Sequence, residues 1–414
     1  MKNTVSPEET GLEDSILSII KKKENKKNVL AEAENNNAAA KVKKTQLAAG
    51  KKDKKKKPSS ETLISLDFGT REIKGVYGKV QGKKLRISGF FTEPVNEEWY
   101  KNGSIRNEQA GLSALQRLLS SKGISTKNVV CTIEGTNIVK REMVVPKLSK
   151  EDMDALLQYE MGQYLPINPS EYIMQYIEME HFIEDNVEKL RLLVIVIPKV
   201  AVEGILGLIH KAKLNPYALD VHFNSMRKLI GFNEGKINED SVSDKTVALI
   251  DIGSSNTDII VLKEGEFQFN VLLEVGYSDF EKTVGSELEI KGHELSSKTD
   301  ELLKRLPEYS DIGIGEPQDK DGYLFRLLQS RMEAYISEIE RSLKYYTTQA
   351  STNRVHKIYI YGGGSVEHGL ASLVEKQLEI PTDYLKSMDC IETGAGAERY
   401  IAKFWNAIGA LIRL

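Results

Sequence analysis

Several residue types that define common protein classes are scarce or missing in this chain of 414 residues. Its two cysteines, Cys131 and Cys390, lie far apart, which excludes a disulfide framework and a CxxC metal pair. No stretch approaches the ~18–20 apolar residues that a membrane span needs. The polar N-terminus also lacks the apolar core of a signal peptide. These absences predict a cytoplasmic protein that does not cross a membrane.

Arginine and aromatic residues are both missing from residues 1–60. This segment holds 15 lysines against 8 acidic residues, a net charge of +7, which leaves −10 for the rest of the chain. Its few apolar side chains cannot offset the entropy cost of ordering, so we expect a disordered, lysine-rich extension. Nucleic acid is not an expected partner, because nothing in this segment could stack on bases or read them.

One part of this extension has helical spacing. The spacing places Leu12, Ile16, Leu17, Ile19 and Ile20 on about one face of a short amphipathic helix near the acidic Glu8, Glu9, Glu13 and Asp14. Such a helix could dock on a partner or on an anionic lipid surface. The alternative is a solvated segment with transient helical structure, which is the more usual property of charge-rich runs.

A strand pattern that ends in Asp-x-Gly and a hydroxyl residue occurs twice in the remainder. Residues 63–70 read LISLDFGT, and residues 247–254, 184 positions later, read VALIDIGS. Each copy continues into a second β-rich run, at residues 73–77 and 257–262. The duplication predicts an α/β fold of two similar lobes with a ligand between them.

The repeated turn suits a phosphate group. Gly69 and Gly253 let backbone N–H groups approach an anion, and the hydroxyl groups of Thr70 and Ser254 add donors. A single turn of this kind is a weak signal, because tight turns commonly use Asp and Gly. Two copies at matching strand ends predict a clamp that holds a polyphosphate from both sides.

Two further features extend this clamp. Asp67 and Asp251 stand at strand ends, where a carboxylate can hold hydrated Mg²⁺ and orient a water molecule. A third strand pattern, at 358–361, runs into Gly362, Gly363 and Gly364, which suit close approach of a flat ligand or a phosphate to the backbone. An ordinary β–α turn is the alternative, although one glycine would suffice for that.

Together the three elements resemble the actin-like ATPase superfamily. The segments between them narrow this resemblance, over residues 62–414, to the PilM family of type IV pilus assembly proteins within the FtsA-like subgroup. The most specific motifs are PKLSKED at 146–152 and EMGQYLP at 160–166.

The resemblance implies an actin-like ATPase fold, with two lobes from a duplicated RNase H-like unit and an inserted PilM/FtsA-type subdomain. We therefore expect the first lobe at residues 61–242, with the insert at about 130–215. The second lobe is expected at residues 243–414, with a nucleotide-capping helical subdomain at about 278–346.

The resemblance also implies a site for ATP with Mg²⁺ between the lobes. Asp67 and Asp251 would hold the ion through water. His222 takes the place where related ATPases have an acidic residue or Gln that positions the attacking water. Because a histidine near a core is more often structural, we expect slow or negligible hydrolysis. Arg341 would border the base, with an exposed surface arginine as the alternative. The implied nucleotide-binding residues are Gly69, Thr70, Arg71, Lys74, Gly253, Ser254, Ser255, Thr257, Arg341, Gly362, Gly363 and Gly364.

For function, the resemblance implies a cytoplasmic scaffold at the inner face of the cell membrane. It would bind the N-terminal tail of a PilN-like inner-membrane protein, link it to the pilus motor ATPases and reach the membrane only through that partner. The alternative is an FtsA-like protein that forms filaments in cell division or in the cytoskeleton. FtsA-like proteins end in a linker and an amphipathic membrane helix, whereas residues 404–414 are expected to pack inside the fold.

Overall fold

The computed structural model describes residues 61–96, 98–120, 124, 126–164, 168–311, 320–365, 369–394 and 401–413. The predicted disordered extension at residues 1–60, with its amphipathic segment, lies outside the described residues. Within the described ranges, no helix combines the length and the apolar character needed to cross a bilayer.

Strands and helices alternate along the described chain. The strands are β1 Leu63–Phe68, β2 Glu72–Gln81, β3 Lys84–Pro94, β4 Tyr100–Lys101, β5 Ser104–Ile105, β6 Asn128–Ile133, β7 Val139–Pro146, β8 Tyr172–Glu184, β9 Val187–Pro198, β10 Asn215–Val221, β11 Lys236–Ile237, β12 Asp240–Ser241, β13 Thr246–Ile252, β14 Thr257–Lys263, β15 Glu266–Leu273, β16 Lys357–Tyr361, β17 Thr382–Tyr384 and β18 Ile391–Glu392. The helices are α1 Glu108–Ser120, α2 Lys150–Tyr164, α3 Lys199–Lys211, α4 His222–Phe232, α5 Tyr277–Leu288, α6 Gly292–Asp311, α7 Lys320–Thr348, α8 Leu370–Leu378 and α9 Trp405–Ala410.

Two sheets share one topology. The first has the strand order β10-β6-β1-β2-β3-β18 and the second the order β15-β14-β13-β16-β17. In each sheet an antiparallel three-stranded meander is extended by parallel strands on the free side of its first strand. The sequence repeat therefore corresponds to a structural repeat. The predicted α/β fold with a duplicated RNase H-like unit is confirmed.

The first strand of each repeat is central and fully buried. Every residue of β1 and of β13 is buried, including the polar Ser65, Asp67 and Asp251. Central strands covered on both faces read as continuous apolar runs rather than as alternating ones. A carboxylate at the end of such a run is therefore placed in the interior by its strand.

A third sheet, with the order β7-β9-β8, lies between β6 and α3 along the chain. Helix α2 packs on it through a stripe with helical spacing, Met153, Leu157 and Met161. The Oγ atom of Ser149 accepts a hydrogen bond from the backbone N–H of Asp152 at 3.2 Å, as expected of an N-cap. These elements fall within the predicted insert, whose bounds stay a prediction.

The second sheet lies between two apolar clusters, because successive side chains of β13 point to opposite faces of the sheet. Ala248, Ile250 and Ile252 face a cluster formed with α5, α6 and α7. Val247 and Leu249 face the opposite way, into the larger cluster shared with the first sheet. The period of two in a strand produces this division.

Helices α4 and α9 pack on one another inside the larger cluster, which joins the inner faces of both sheets. A Cβ atom at Gly409 would lie 2.2 Å from the carbonyl oxygen of Ser225, so this glycine allows the two helices to approach closely. Trp405 is fully buried and donates its indole N–H to the carbonyl of Leu385 at 3.2 Å. Residues 404–412 thus pack inside the fold, as expected. Since β18 and α9 also contact the first sheet, the lobe boundaries at 242 and 243 stay a prediction.

Candidate functional site

The ends of β1, β13 and β16 open onto a cavity of about 820 Å³. Both sheets line it, together with Tyr277 of α5 and with Ser296, Asp300 and Lys304 of α6. The predicted site residues that line it are Gly69, Thr70, Arg71, Lys74, His222, Asp251, Gly253, Ser254, Gly362, Gly363 and Gly364. Two distant sequence repeats therefore meet at one cavity.

The two Asp-x-Gly turns have the same local geometry. The backbone N–H of Gly69 donates to the carbonyl of Glu72 at 3.2 Å, and that of Gly253 donates to Asn256 at 2.9 Å. A Cβ atom would lie 2.9 Å from the same carbonyl oxygen at Gly69 and 2.8 Å at Gly253. Any larger residue would collide with the backbone at either position, which explains the glycine in both copies.

The second turn presents two backbone amides on the side opposite α5. The carbonyl of Gly253 accepts from Tyr277 N–H at 3.0 Å, and that of Ser254 accepts from Ser278 N–H at 2.8 Å. Because a trans peptide points its N–H opposite to its C=O, the N–H groups of Ser254 and Ser255 are directed away from α5. Successive N–H groups of this kind form an anion-binding concavity.

Two contacts join the repeats across the cavity. Ser255 Oγ donates to Thr70 Oγ1 at 3.1 Å, so the two turns touch each other directly. Arg71 bonds both carboxylate oxygens of Glu281 at 2.9 Å and the hydroxyl of Ser296 at 2.7 Å. The guanidinium of Arg71 is therefore held by α5 and α6.

A buried cluster of charges lies beneath the turns. His222 Nε2 lies 2.8 Å from Asp67 Oδ1, and Lys74 Nζ lies 3.3 Å from the other oxygen of that carboxylate. The second ring nitrogen of His222 is 3.7 Å from Asp251 Oδ2. That oxygen accepts a hydrogen bond from the side-chain amide of Asn406 at 2.6 Å. The Asp67 side chain is wholly buried under Lys74 and His222 and does not line the cavity.

The pKa values in this cluster are shifted by opposing causes. Burial would raise the pKa of Asp67, but Lys74 and His222 outweigh it and lower the pKa to about 2. Burial would lower the pKa of His222, but Asp67 chiefly, and Asp251 as well, raise it to about 9. For Asp251 burial prevails and raises the pKa. At neutral pH the His222 ring is therefore positively charged in the absence of a metal ion, and its Nε2–H group donates to Asp67. The role of His222 in positioning water stays a prediction.

Sequence reasoning missed four acidic residues of the cavity, Glu72, Glu134, Asp258 and Asp300, of which Glu134 and Asp258 are the deeply buried ones. Glu134 follows β6 and pairs with Lys140 at 2.6 Å. Asp258 lies directly across from Asp251 in the β13–β14 register, and burial raises its pKa. The repeat contained a signal for Asp258, because it lies 184 positions after Lys74 and so takes that residue's place in the second copy.

Two predicted contact residues are not brought to the cavity. The hydroxyl of Thr257 is wholly buried, donates to the carbonyl of Val275 at 2.8 Å and lies 2.8 Å from the hydroxyl of Tyr335. Arg341 pairs with Glu338 at 3.0 Å on the outer surface of α7, with its side chain 73% exposed. Neither of these two side chains lines the cavity between the sheets.

The three successive glycines have different surroundings. Gly362 has φ +101°, and a Cβ atom there would lie 2.1 Å from Asp251 Oδ1. At Gly364 it would lie 2.8 Å from Cβ of Tyr277, whereas at Gly363 it would meet nothing within 4 Å. Packing therefore requires the first and third glycines, and only the middle one leaves open space at the cavity.

The duplicated sheets, the paired Asp-x-Gly turns and the cavity between them define a protein with the actin-like ATPase fold. A family model described as type IV pilus assembly protein PilM matches residues 65–404. The chain therefore belongs to the PilM family.

Two solved structures illustrate the similarity of fold. The chain is similar to the PilM-PilN type IV pilus biogenesis complex, with a TM-score of 0.70 and 20% identity, over 85% of this chain and 98% of that chain. It is also similar to the ethanolamine utilization protein EutJ from Carboxydothermus hydrogenoformans, with a TM-score of 0.50 and 11% identity, over 86% of this chain and 90% of that chain.

Proposed function

We propose that this protein is a nucleotide-binding scaffold of a type IV pilus assembly machine, located in the cytoplasm at the inner face of the cell membrane. Its membership of the PilM family supports the pilus role. The single observation that carries the nucleotide role is that two similar phosphate-type turns meet above one cavity, with the hydroxyl groups of Thr70 and Ser255 3.1 Å apart.

The nucleotide is ATP, and the cavity residues fit its phosphates. The N–H groups of Ser254 and Ser255 and the hydroxyl of Thr70 are the donors, and Lys74 supplies positive charge. Asp251, which lines the cavity, would hold Mg²⁺ through water, and Asp67, whose oxygens contact His222 and Lys74, would act on the ion from behind them. Once bound, the ion offsets the charge of the phosphates.

Hydrolysis is slow or negligible in this proposal. Related ATPases use an acidic residue or Gln to orient the attacking water. Here His222 has that place, and its Nε2 atom is engaged with Asp67 at 2.8 Å. A turnover of about ten per second, typical of enzymes, that was abolished by His222→Ala would contradict this part.

The partner is the N-terminal cytoplasmic tail of a PilN-like inner-membrane protein. One solved structure similar to this chain is a complex of PilM with PilN. The family resemblance implies that the inserted subdomain borders the groove in which that tail binds. Through this partner the protein is linked to the membrane and to the pilus motor ATPases. Closure of the lobes on ATP would couple nucleotide to the partner tail, since Arg71 and Ser255 already join the two sides.

Calorimetry tests the nucleotide site. Asp251→Ala should lose affinity for ATP·Mg²⁺, whereas the control Arg341→Ala should keep it, because Arg341 lies on the outer surface. Binding unchanged by Asp251→Ala would overturn the site assignment.

A second experiment tests the partner. A peptide with the N-terminal tail of the membrane protein encoded by the neighbouring gene should bind the full chain, and a scrambled peptide should not. Equal binding of both peptides, or of neither, would refute the scaffold role. The FtsA-like alternative predicts ordered filaments with ATP in negative-stain microscopy.

A further inference from the structure

Three side chains with metal-ligand chemistry converge at the inner end of the cavity. Glu134 follows β6 of the first sheet, His222 begins α4 and Asp258 lies on β14 of the second sheet. One ligand atom from each lies within 4.8 Å of the other two. All three residues are more than nine-tenths buried. Small side-chain rotations would bring such atoms to the ~2.0–2.2 Å bond lengths of a coordinated cation.

Asp258 has an unsatisfied oxygen in this cluster. Its Oδ1 atom accepts a hydrogen bond from the side-chain amide of Asn270 at 2.6 Å. Its Oδ2 atom is buried and has no hydrogen-bond partner. An unpaired buried carboxylate oxygen costs free energy, and a cation at this point would satisfy it.

The buried charges around the cluster do not balance. Asp258 lies directly opposite Asp251 on neighbouring strands, where like charges repel. Lys74 pairs with Asp67 and Lys140 pairs with Glu134. Among the described residues, no lysine lies within ion-pair distance of Asp251 or Asp258. A ligating imidazole is neutral, so metal binding releases the second ring proton of His222 to solvent. The four buried acids and two lysines then leave two negative charges, which one divalent cation offsets.

The environment of His222 suits a metal ligand. A ligating histidine usually donates its other ring N–H to a carboxylate, which fixes the tautomer and the orientation of the ring. Asp67 lies 2.8 Å from Nε2 and supplies that contact. The Nδ1 atom lies 3.7 Å from Asp251 Oδ2, longer than a hydrogen bond, and it ligates by giving up its proton.

We propose that Glu134, His222 and Asp258 bind a divalent first-row transition-metal ion of the Mn²⁺ or Fe²⁺ kind, distinct from the Mg²⁺ that accompanies the nucleotide. Two carboxylates with one imidazole and no thiolate favour this class of ion. The ligands come from both sheets and from the helix between them, so the ion ties the two lobes together without nucleotide.

Electron paramagnetic resonance of the nucleotide-free full chain tests the proposal, with Mn²⁺ alone as the probe. We expect one bound Mn²⁺ per chain and a nitrogen coupling in the pulsed spectrum, which His222→Gln removes. The near-isosteric Asp258→Asn should weaken Mn²⁺ binding by about tenfold or more, because even the loss of an outer-shell partner costs about 10–100-fold. Asp300→Asn, in a carboxylate of the same cavity outside the cluster, is the matched control and should bind Mn²⁺ as the wild type does.

Three outcomes would overturn the proposal. They are no Mn²⁺ binding by the wild type, bound Mn²⁺ without nitrogen coupling, and Asp258→Asn with unchanged affinity. The nitrogen coupling is measured on the wild type, so it decides the question even if a variant fails to fold. Because no nucleotide is present, failure of ATP binding would leave the result intact. Asp258 has no part in the proposed Mg²⁺ site, so the effect of Asp258→Asn separates the two sites.

Discussion

Neighbouring glycines at the end of β16 provide a sharp test of the site. Gly362→Ala would put a methyl group 2.1 Å from Asp251 Oδ1 and 2.6 Å from the carbonyl oxygen of Ile252. It would also force a side chain into φ +101°. Gly363→Ala adds the same methyl group one residue later, where no atom lies within 4 Å and φ is outside the left-handed region.

The two substitutions should change the free energy of unfolding in opposite directions, and Gly363→Ala should act on ATP binding instead of on packing. For Gly362→Ala, the left-handed backbone costs about 1–2 kcal/mol and the overpacking about 1–3 kcal/mol, so the free energy of unfolding falls by about 2–5 kcal/mol. For Gly363→Ala, the loss of unfolded-state entropy raises it by about 0.4–1 kcal/mol. The new methyl group at Gly363 nevertheless enters the cavity, so ATP affinity should fall.

Thermal unfolding and ATP titration of the same preparations measure these effects. Gly362→Ala should lower the melting temperature by at least about 4 °C, from about 2–4 °C per kcal/mol for larger chains. Gly363→Ala should raise the melting temperature by about 1–4 °C on the same scale and bind ATP more weakly. A comparable loss of stability in both variants, or full ATP affinity in Gly363→Ala, would refute the assignment of Gly363 to the ligand and Gly362 to packing.

Three further predictions concern charge, the contacts across the cavity and a buried hydroxyl. The pKa of His222 is raised from 6.5 to about 9 on folding, so its contribution to stability is full below pH about 6.5 and is lost as pH rises through about 9. His222→Gln should therefore reduce the amount by which the melting temperature falls between pH 6 and pH 9. An unchanged fall in the variant would contradict this. Arg71 is half exposed, so a double-mutant cycle of Arg71→Ala and Glu281→Ala should give a coupling free energy of about 0.2–1 kcal/mol. A value well above about 1 kcal/mol would contradict the solvent screening of this pair. Thr257→Val should lower the melting temperature because it removes two buried hydrogen-bond contacts, and it should leave ATP affinity unchanged in calorimetry.

The duplicated turns could be predicted from the sequence because their signal is local. A buried strand, an aspartate and a glycine within eight residues define both the geometry and the ligand chemistry, and the repeat shows that the two copies belong together. Gly69 and Gly253 have matching hydrogen bonds in the structure for the same reason.

The rest of the site depends on tertiary contacts that carry no local signal. Glu134 and Asn406 reach the charge cluster from the end of β6 and from α9, and nothing near them in sequence marks them as polar groups of a cavity. Ile339 and Leu343 have helical spacing, and both are buried on the core face of α7. Helical spacing does not show which element packs on the other faces of α7. Arg341 lies on a face that is exposed to solvent.

The position of α9 has a consequence for the order in which the chain folds. Trp405 and Ile408 belong to the same cluster as β1, more than 300 residues earlier, and Asn406 completes the hydrogen bonding of Asp251. During synthesis both sheets emerge before the helix that packs between them, so the inner faces of the sheets stay exposed until residues 405–410 leave the ribosome. The ligand cavity therefore forms late, and a chain truncated before residue 405 would present apolar surface to chaperones and proteases instead of a binding site.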